Sequence, residues 1–339
     1  MYRIIQIVSL AFVFCATTVA AAPLRVVTTT TDLASIVRAV GGDRVQVKSL
    51  SNGIEDPHFV EAKPGFIREL ARADVFVQTG MDLEVGWVPV LLQNCRNAKV
   101  LPGAAGFVDA SRVIHRIYDK TGEVNRSMGD VHAGGNPHYL VDPAAGILVT
   151  NYIGERLSTI SPAHAAAIQG RSQAYQRKLA IALWGSELTN QYAPVKLAGL
   201  LQKGGGAALI SFLKRQGRAG SIGGWMSALS GYRGQSVLVE HRFWPYFAKT
   251  FGLNVAEALE PIAGVDPTTR HLKKVIDVAK VTRPRAILAL PYFPSRHARF
   301  VSENTGVKIV KMAHMPLSRP GTTDYFSMLE YNVRALLAN

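Results

Sequence analysis

Hydrophobic and polar positions along the chain fall into two stretches of strand–helix alternation, separated by a long region of helical spacing. In the first stretch, the β-branched run at 24–30 predicts a strand, and a helix follows from Asp32, a residue suited to cap it, to Val40. Gly41 and Gly42 stop that helix, and Val45 and Val47 begin a second strand. Pro64 opens a helix through Ile67 and Leu70, and 75–77 reads as a buried strand. Such alternation argues for a parallel sheet covered by helices. Residues 103–137 carry little regular pattern. Asp142-Pro143 then starts a helix, Asp142 as cap and Pro143 in the first turn, running to about Leu157.

Beyond Ser161-Pro162, as far as Gln191, no further proline occurs and the only glycines are Gly170 and Gly185. Apolar residues recur at helical spacing (Ala167, Ile168, Tyr175, Leu179, Ile181, Leu183). This predicts one helix of roughly 30 residues, against a mean of about 12. Residues 195–235, with Gly204-Gly205-Gly206 and Gly223-Gly224, read ambiguously. From 236 the alternation returns, with strands at 236–239, 254–257, 286–289 and 307–310 and helices at 243–251, 268–280, 295–304 and 324–337. The predicted fold class is α/β: two (β/α) lobes with mainly parallel sheets joined by a long rigid helix. The expected divisions are an N-terminal lobe at 22–158, a connecting helix at 159–192 and a C-terminal lobe at 193–339. No residue-level repeat relates the halves.

Residues 1–21 read as a secretory signal. Arg3 precedes an apolar stretch from Ile4 to about Ala16, followed by small residues, with cleavage expected after Ala21. The apolar run falls short of the roughly 20 residues a spanning helix needs. Phe14 before Cys15 is too bulky for a good lipoprotein signal, so a soluble exported protein, periplasmic in location, is expected. The mature chain then holds one cysteine, Cys95, which excludes an intramolecular disulfide and a multi-cysteine zinc site. The formal charge of +14 changes the picture little: the basic residues are scattered, without a run interleaved with aromatics, which argues against nucleic-acid binding.

The chemistry lies in three histidines set far apart beside turns and strand ends: His58 in Glu55-Asp56-Pro57-His58, His138 in Asn136-Pro137-His138, and His241 at the end of the apolar run 236–239. Imidazole is the commonest metal ligand near neutral pH, and in open α/β sheets ligands bind beyond the carboxyl ends of strands. Taken singly, His58 and His138 read equally well as loop histidines facing water. His115, His164, His271, His297 and His314 lack this placement and read as structural or exposed, while His132 shares a loop with His138. An acidic ligand to complete the set is Asp324, in Thr322-Thr323-Asp324-Tyr325, which reads also as the cap of the last helix.

Five segments, taken in order, resemble the metal-binding solute receptors of bacterial ABC importers for zinc and manganese. They are Val26 to Asp32, Asp56 to Pro64, Asn136 to Pro143, His241 to Leu253, and the tail from Glu303 to Val307 and Asp324 to Met328. The resemblance covers essentially the whole mature chain. It implies a metal bound between two lobes by His58, His138, His241 and Asp324. In the third position a one-residue slip substitutes Glu240, as in manganese-type relatives; in the fourth, Thr323 is the alternative. Residues 112–135 lack the long His- and acid-rich loop of many zinc receptors.

Three nitrogens and one carboxylate suit tetrahedral Zn(II), whereas Mn(II) prefers more oxygen donors. The expectation is a monomeric, non-enzymatic receptor that carries Zn(II), with Mn(II) or iron as the alternative, to an ABC importer permease in the inner membrane. Glu61 and Asp142 are expected to orient the ligand histidines. A secreted zinc hydrolase would need an open coordination position and a general base; four protein ligands and the lack of a His-Glu-x-x-His pair argue against it. An adhesin with a structural metal is the remaining alternative.

Overall fold

The computed structural model describes residues 22–118, 133–261 and 265–339; the expected signal at 1–21 and His132 lie outside them. The first lobe contains β1 (Leu24–Thr28), α1 (Thr31–Gly41), β2 (Val45–Ser49), α2 (Pro64–Ala71), β3 (Val75–Gln78), α3 (Val88–Asn94) and β4 (Phe107–Asp109). Four helices follow: α4 (Pro143–Ile160), α5 (Ala165–Trp184), α6 (Ser186–Gln191) and α7 (Pro194–Arg215). After the short α8 (Gly224–Ala228), the second lobe contains β5 (Ser236–Val239), α9 (Pro245–Phe251), β6 (Asn254–Ala258), α10 (Thr269–Thr282), β7 (Ile287–Ala289), α11 (Ser295–Thr305) and β8 (Ile309–Lys311). The chain closes with α12 (Tyr325–Leu337).

Each lobe has a four-stranded, all-parallel sheet, ordered β2-β1-β3-β4 in the first and β6-β5-β7-β8 in the second. The two sheets therefore share one topology, and the order reverses at β1 and at β5. This puts a crevice beyond the carboxyl ends of those strands. The runs that read as strands are buried on both faces, as parallel sheets require: Val26, Val75, Phe76, Val77, Val237, Leu238 and Val239 are all nearly inaccessible.

The architecture is the expected pair of α/β lobes with a long helix, but the helix is shorter than its sequence pattern. Residues 162–164 form a separate 3₁₀ turn, α5 spans 20 residues, and Gly185, at φ 94°, ends it before α6. Gly185 is one of the two glycines the pattern tolerated; only glycine takes this backbone freely. Strand β4 lies within 103–137, where periodicity gave no signal because it has only 3 residues.

The ambiguous segment 195–235 contains α7, 22 residues kinked at Gly205, which has φ 67°. The triple glycine there allows close passage of α9. A Cβ on Gly205 would lie 2.6 Å from the Lys249 carbonyl oxygen, and one on Gly206 2.5 Å from that of Thr250. Among the described residues no helix is long and apolar enough to cross a membrane.

Candidate metal centre

His58 lies in the loop after β2, within a one-turn 3₁₀ helix at Pro57–Phe59. Asp56 makes this turn: its Oδ1 accepts the His58 backbone N–H at 3.0 Å and pairs with His58 Nδ1 at 2.6 Å. Burial pushes the Asp56 carboxyl up, but the hydrogen bond and charge of His58 outweigh it and hold the group below the usual carboxylate range. Trp87 Nε1 donates to the Pro57 carbonyl at 3.1 Å and pins the turn to the first lobe.

His138 follows the Asn136-Pro137 turn. Asn136 Oδ1 accepts the His138 backbone N–H, and Asn136 Nδ2 donates to the Arg242 carbonyl at 2.8 Å, directly beside His241. The Phe243 ring stacks on His138 with centroids 4.0 Å apart. His241 lies two residues beyond the end of β5, and its Nδ1 pairs with Glu260 Oε2 at 2.7 Å. Glu260, two residues beyond β6, is itself buried.

These elements bring the three histidines together. His138 Nε2 and His241 Nε2 are 3.2 Å apart. The ring centroids of His58 lie 5.0 Å from His138 and 5.9 Å from His241. One ligand atom from each histidine lies within 4.8 Å of the other two, and all three residues are buried. With Nδ1 of His241 turned to a carboxylate, its Nε2 presents a lone pair to the cluster. Three converging imidazoles, two of them oriented by carboxylates, form a donor set suited to a borderline divalent cation.

The fourth expected ligand is not brought here. Asp324 is exposed and caps α12: its side chain accepts the Ser327 N–H at 2.7 Å, and Ser327 Oγ accepts the Asp324 N–H in return. Its carboxylate therefore serves a helix terminus, and it is absent from the described group of donors. Glu240 is turned the other way from a ligand role. It is buried, accepts the Leu290 N–H at 2.6 Å, and burial pushes its pKa up to about 7.

The residues expected to orient the histidines also differ. Glu61 is exposed beside Lys63, and Asp142 caps α4 and accepts from Gln202 Nε2 at 2.6 Å. Asp56 and Glu260 take that place. Sequence held a signal for the first, since Asp56 stands two residues before a histidine, where an Asx turn forms; Glu260, two residues beyond the strand beside β5, carried none. His314, read as structural or exposed, is buried just beyond β8, at the same sheet end as His241.

Two α/β lobes with a buried histidine cluster at their crevice define a metal-binding receptor. The model of the family described as zinc-uptake complex component A, periplasmic, matches residues 26–191 and 224–339, and the chain belongs to that family. It is a metal-binding substrate-binding protein of an ABC transporter, not an enzyme.

Among curated relatives, the metal ABC transporter substrate-binding lipoprotein ScbA of Streptococcus cristatus is 22% identical over 319 residues, covering 92% of this chain and 87% of its own. Among solved structures, FpvC of Pseudomonas aeruginosa in complex with Mn2+ gives a TM-score of 0.66 at 21% identity, covering 93% of this chain and 97% of that one. The periplasmic zinc-binding protein TroA of Treponema pallidum gives 0.67 at 18%, covering 93% and 98%. At these identities the structural likeness speaks for the fold.

Proposed function

We propose that the protein captures Zn(II) between its lobes on His58, His138 and His241 and delivers it to the permease of an ABC importer, acting as a periplasmic monomer released from its leader after Ala21. The observation that carries the reading is the donor set: three buried imidazole nitrogens within 4.8 Å, with no carboxylate among the grouped atoms of the described residues. A nitrogen-rich site favours Zn(II) over Mn(II) both by relative affinity and by Mn(II)'s preference for oxygen. The family model is named for zinc uptake, which agrees. TroA is named as a zinc binder and FpvC was solved with Mn2+, so relatives of this fold take either ion. The engagement of Glu240 with Leu290 supports His241 over Glu240 as the third ligand. Asp324 is not among the ligands in this proposal, and the fourth position is left to a donor other than Asp324.

The domain division follows the same reading: lobes at 22–158 and 193–339, with 159–192 between them. Binding requires neutral imidazoles, so affinity falls as acid protonates them.

The test is a competitive titration of the metal-stripped mature protein with Zn(II) and Mn(II), repeated on His241→Ala and Glu240→Ala. The proposal expects one tight zinc per chain, lost in His241→Ala and kept in Glu240→Ala. A manganese preference lost in Glu240→Ala overturns it.

A further inference from the structure

The loop carrying His58 has no regular structure between β2 and α2 beyond one 3₁₀ turn, so its position depends on what packs against it. Part of that packing comes from the other lobe. His314, beyond β8, places Nε2 3.1 Å from the Glu55 carbonyl oxygen, three residues before His58. A carbonyl only accepts, so Nε2 carries the proton and donates. Burial holds the His314 pKa down at about 4, which keeps the ring neutral at physiological pH.

Its Nδ1 is buried without a hydrogen-bond partner among the described residues. An imidazole is thus kept in a costly place with one hydrogen bond, the one that crosses to the His58 loop. The same ring meets Tyr292 edge-on at 4.8 Å and Phe243 at 6.1 Å, and Phe243 is the ring stacked on His138.

The residues after His314 continue the contact. Thr31 Oγ1 donates to the Pro316 carbonyl at 3.0 Å. That carbonyl is seated on Gly53, whose φ is +90° and where a Cβ would lie 2.3 Å from the oxygen. Leu317 holds a left-handed φ of 73°, and Ser318 Oγ donates to the Met315 carbonyl at 2.6 Å, closing the turn that presents Pro316. A non-glycine residue keeps such a backbone when its surroundings over-determine it.

We infer that residues 314–317 of the second lobe are a strap that holds the first lobe's His58 loop in ligating position, with His314 as a positioning residue for metal capture. The inference rests on the histidine ligand set proposed above. It makes the affinity of a first-lobe ligand depend on a second-lobe group outside the cluster of three histidines.

The experiment compares zinc affinity, by competition with a chelator, and zinc release rate in wild type, His314→Phe, His314→Gln and Thr31→Val, with the melting temperature of each metal-stripped protein as a control. His314→Phe keeps a ring and removes the donor, and should lose about tenfold in affinity, the lower end of what outer groups that orient ligands cost, through faster release. His314→Gln restores an N–H donor and should recover most of the loss. Thr31→Val should lose a few-fold at unchanged stoichiometry. Wild-type affinity in His314→Phe, or an equal loss in His314→Gln, overturns the strap. If His314→Phe does not fold, Thr31→Val decides, and unchanged affinity there overturns it. Zinc binding that survives His58→Ala overturns the ligand set, and the strap with it.

Discussion

The two lobes share one strand order, yet they meet the crevice with different chemistry. At the carboxyl end of β1 the first lobe has hydroxyls: Thr29 donates to the buried Glu84 at 2.7 Å, and Thr79 and Gly80 add backbone N–H groups to the same carboxylate. At the carboxyl end of β5 the second lobe has His241, paired with Glu260. After the neighbouring strand the roles exchange: the β2 loop supplies His58, and the β6 end supplies the carboxylate.

His58 is oriented by Asp56, only two residues away and a quarter exposed, while His241 is oriented by a group 19 residues away and 8% exposed. One topology thus builds one ligand locally and the other through its tertiary fold. The local pairing is open to water, which competes with it, whereas the buried one is not.

The largest effect that sharpens this contrast is removal of a ligand. His58→Ala, His138→Ala or His241→Ala should each abolish tight zinc binding in a chelator competition while the metal-stripped protein still unfolds cooperatively. Next come the orienting carboxylates. Glu260→Gln should weaken zinc by about tenfold and Asp56→Asn by less, because outer-sphere partners cost about 10- to 100-fold and exposure screens the second. Equal losses in the two variants would break the comparison.

A third effect concerns the layer behind the crevice, where burial raises the pKa of Asp142 to about 7. An acid whose proton is held more tightly in the folded chain contributes stability that is full below its ordinary pKa of 3.8 and is lost as pH rises towards about 7. The metal-stripped protein should therefore melt higher as the pH falls from 8 to 5. Asp142→Asn should flatten that dependence at little cost, since the amide donates to Gln202 Oε1, now without a partner among the described residues, once the Gln202 side chain turns over. The smallest effect is at Asp324. Asp324→Ala should cost about 1 kcal/mol as a lost helix cap and leave zinc affinity unchanged; a fall in affinity would return Asp324 to the site.

Much of this was legible in the sequence because parallel strands are apolar throughout and helix starts carry their own signals. The burial of Val75 to Val77 and of Val237 to Val239, and the Asp142-Pro143 start of α4, follow from local composition. His58, His138 and His241 were marked by position beside turns and strand ends. Their convergence was implied only by the resemblance of the five segments, not by position, because it depends on how two sheets face one another.

Asp324 shows the limit from the other side. An acid before a helix has the same local pattern whether it caps or ligates, and in the structure the Asp324 side chain is engaged in a capping box with Ser327. Glu260 escaped notice because its partner is 19 residues away, and His314 because a lone histidine after a strand carries no mark of which lobe it will touch. Gly185 passed as a tolerated helix glycine because sequence does not give its φ.

The most direct test of the account is X-ray absorption at the zinc edge on the stoichiometrically loaded protein. The account predicts a first coordination sphere dominated by imidazole nitrogen, with three histidines at about 2.0 to 2.1 Å. Loss of one imidazole in His241→Ala, with none lost in Asp324→Ala, completes the prediction. A sphere made mainly of oxygen, or one whose imidazole count survives His241→Ala, would contradict it.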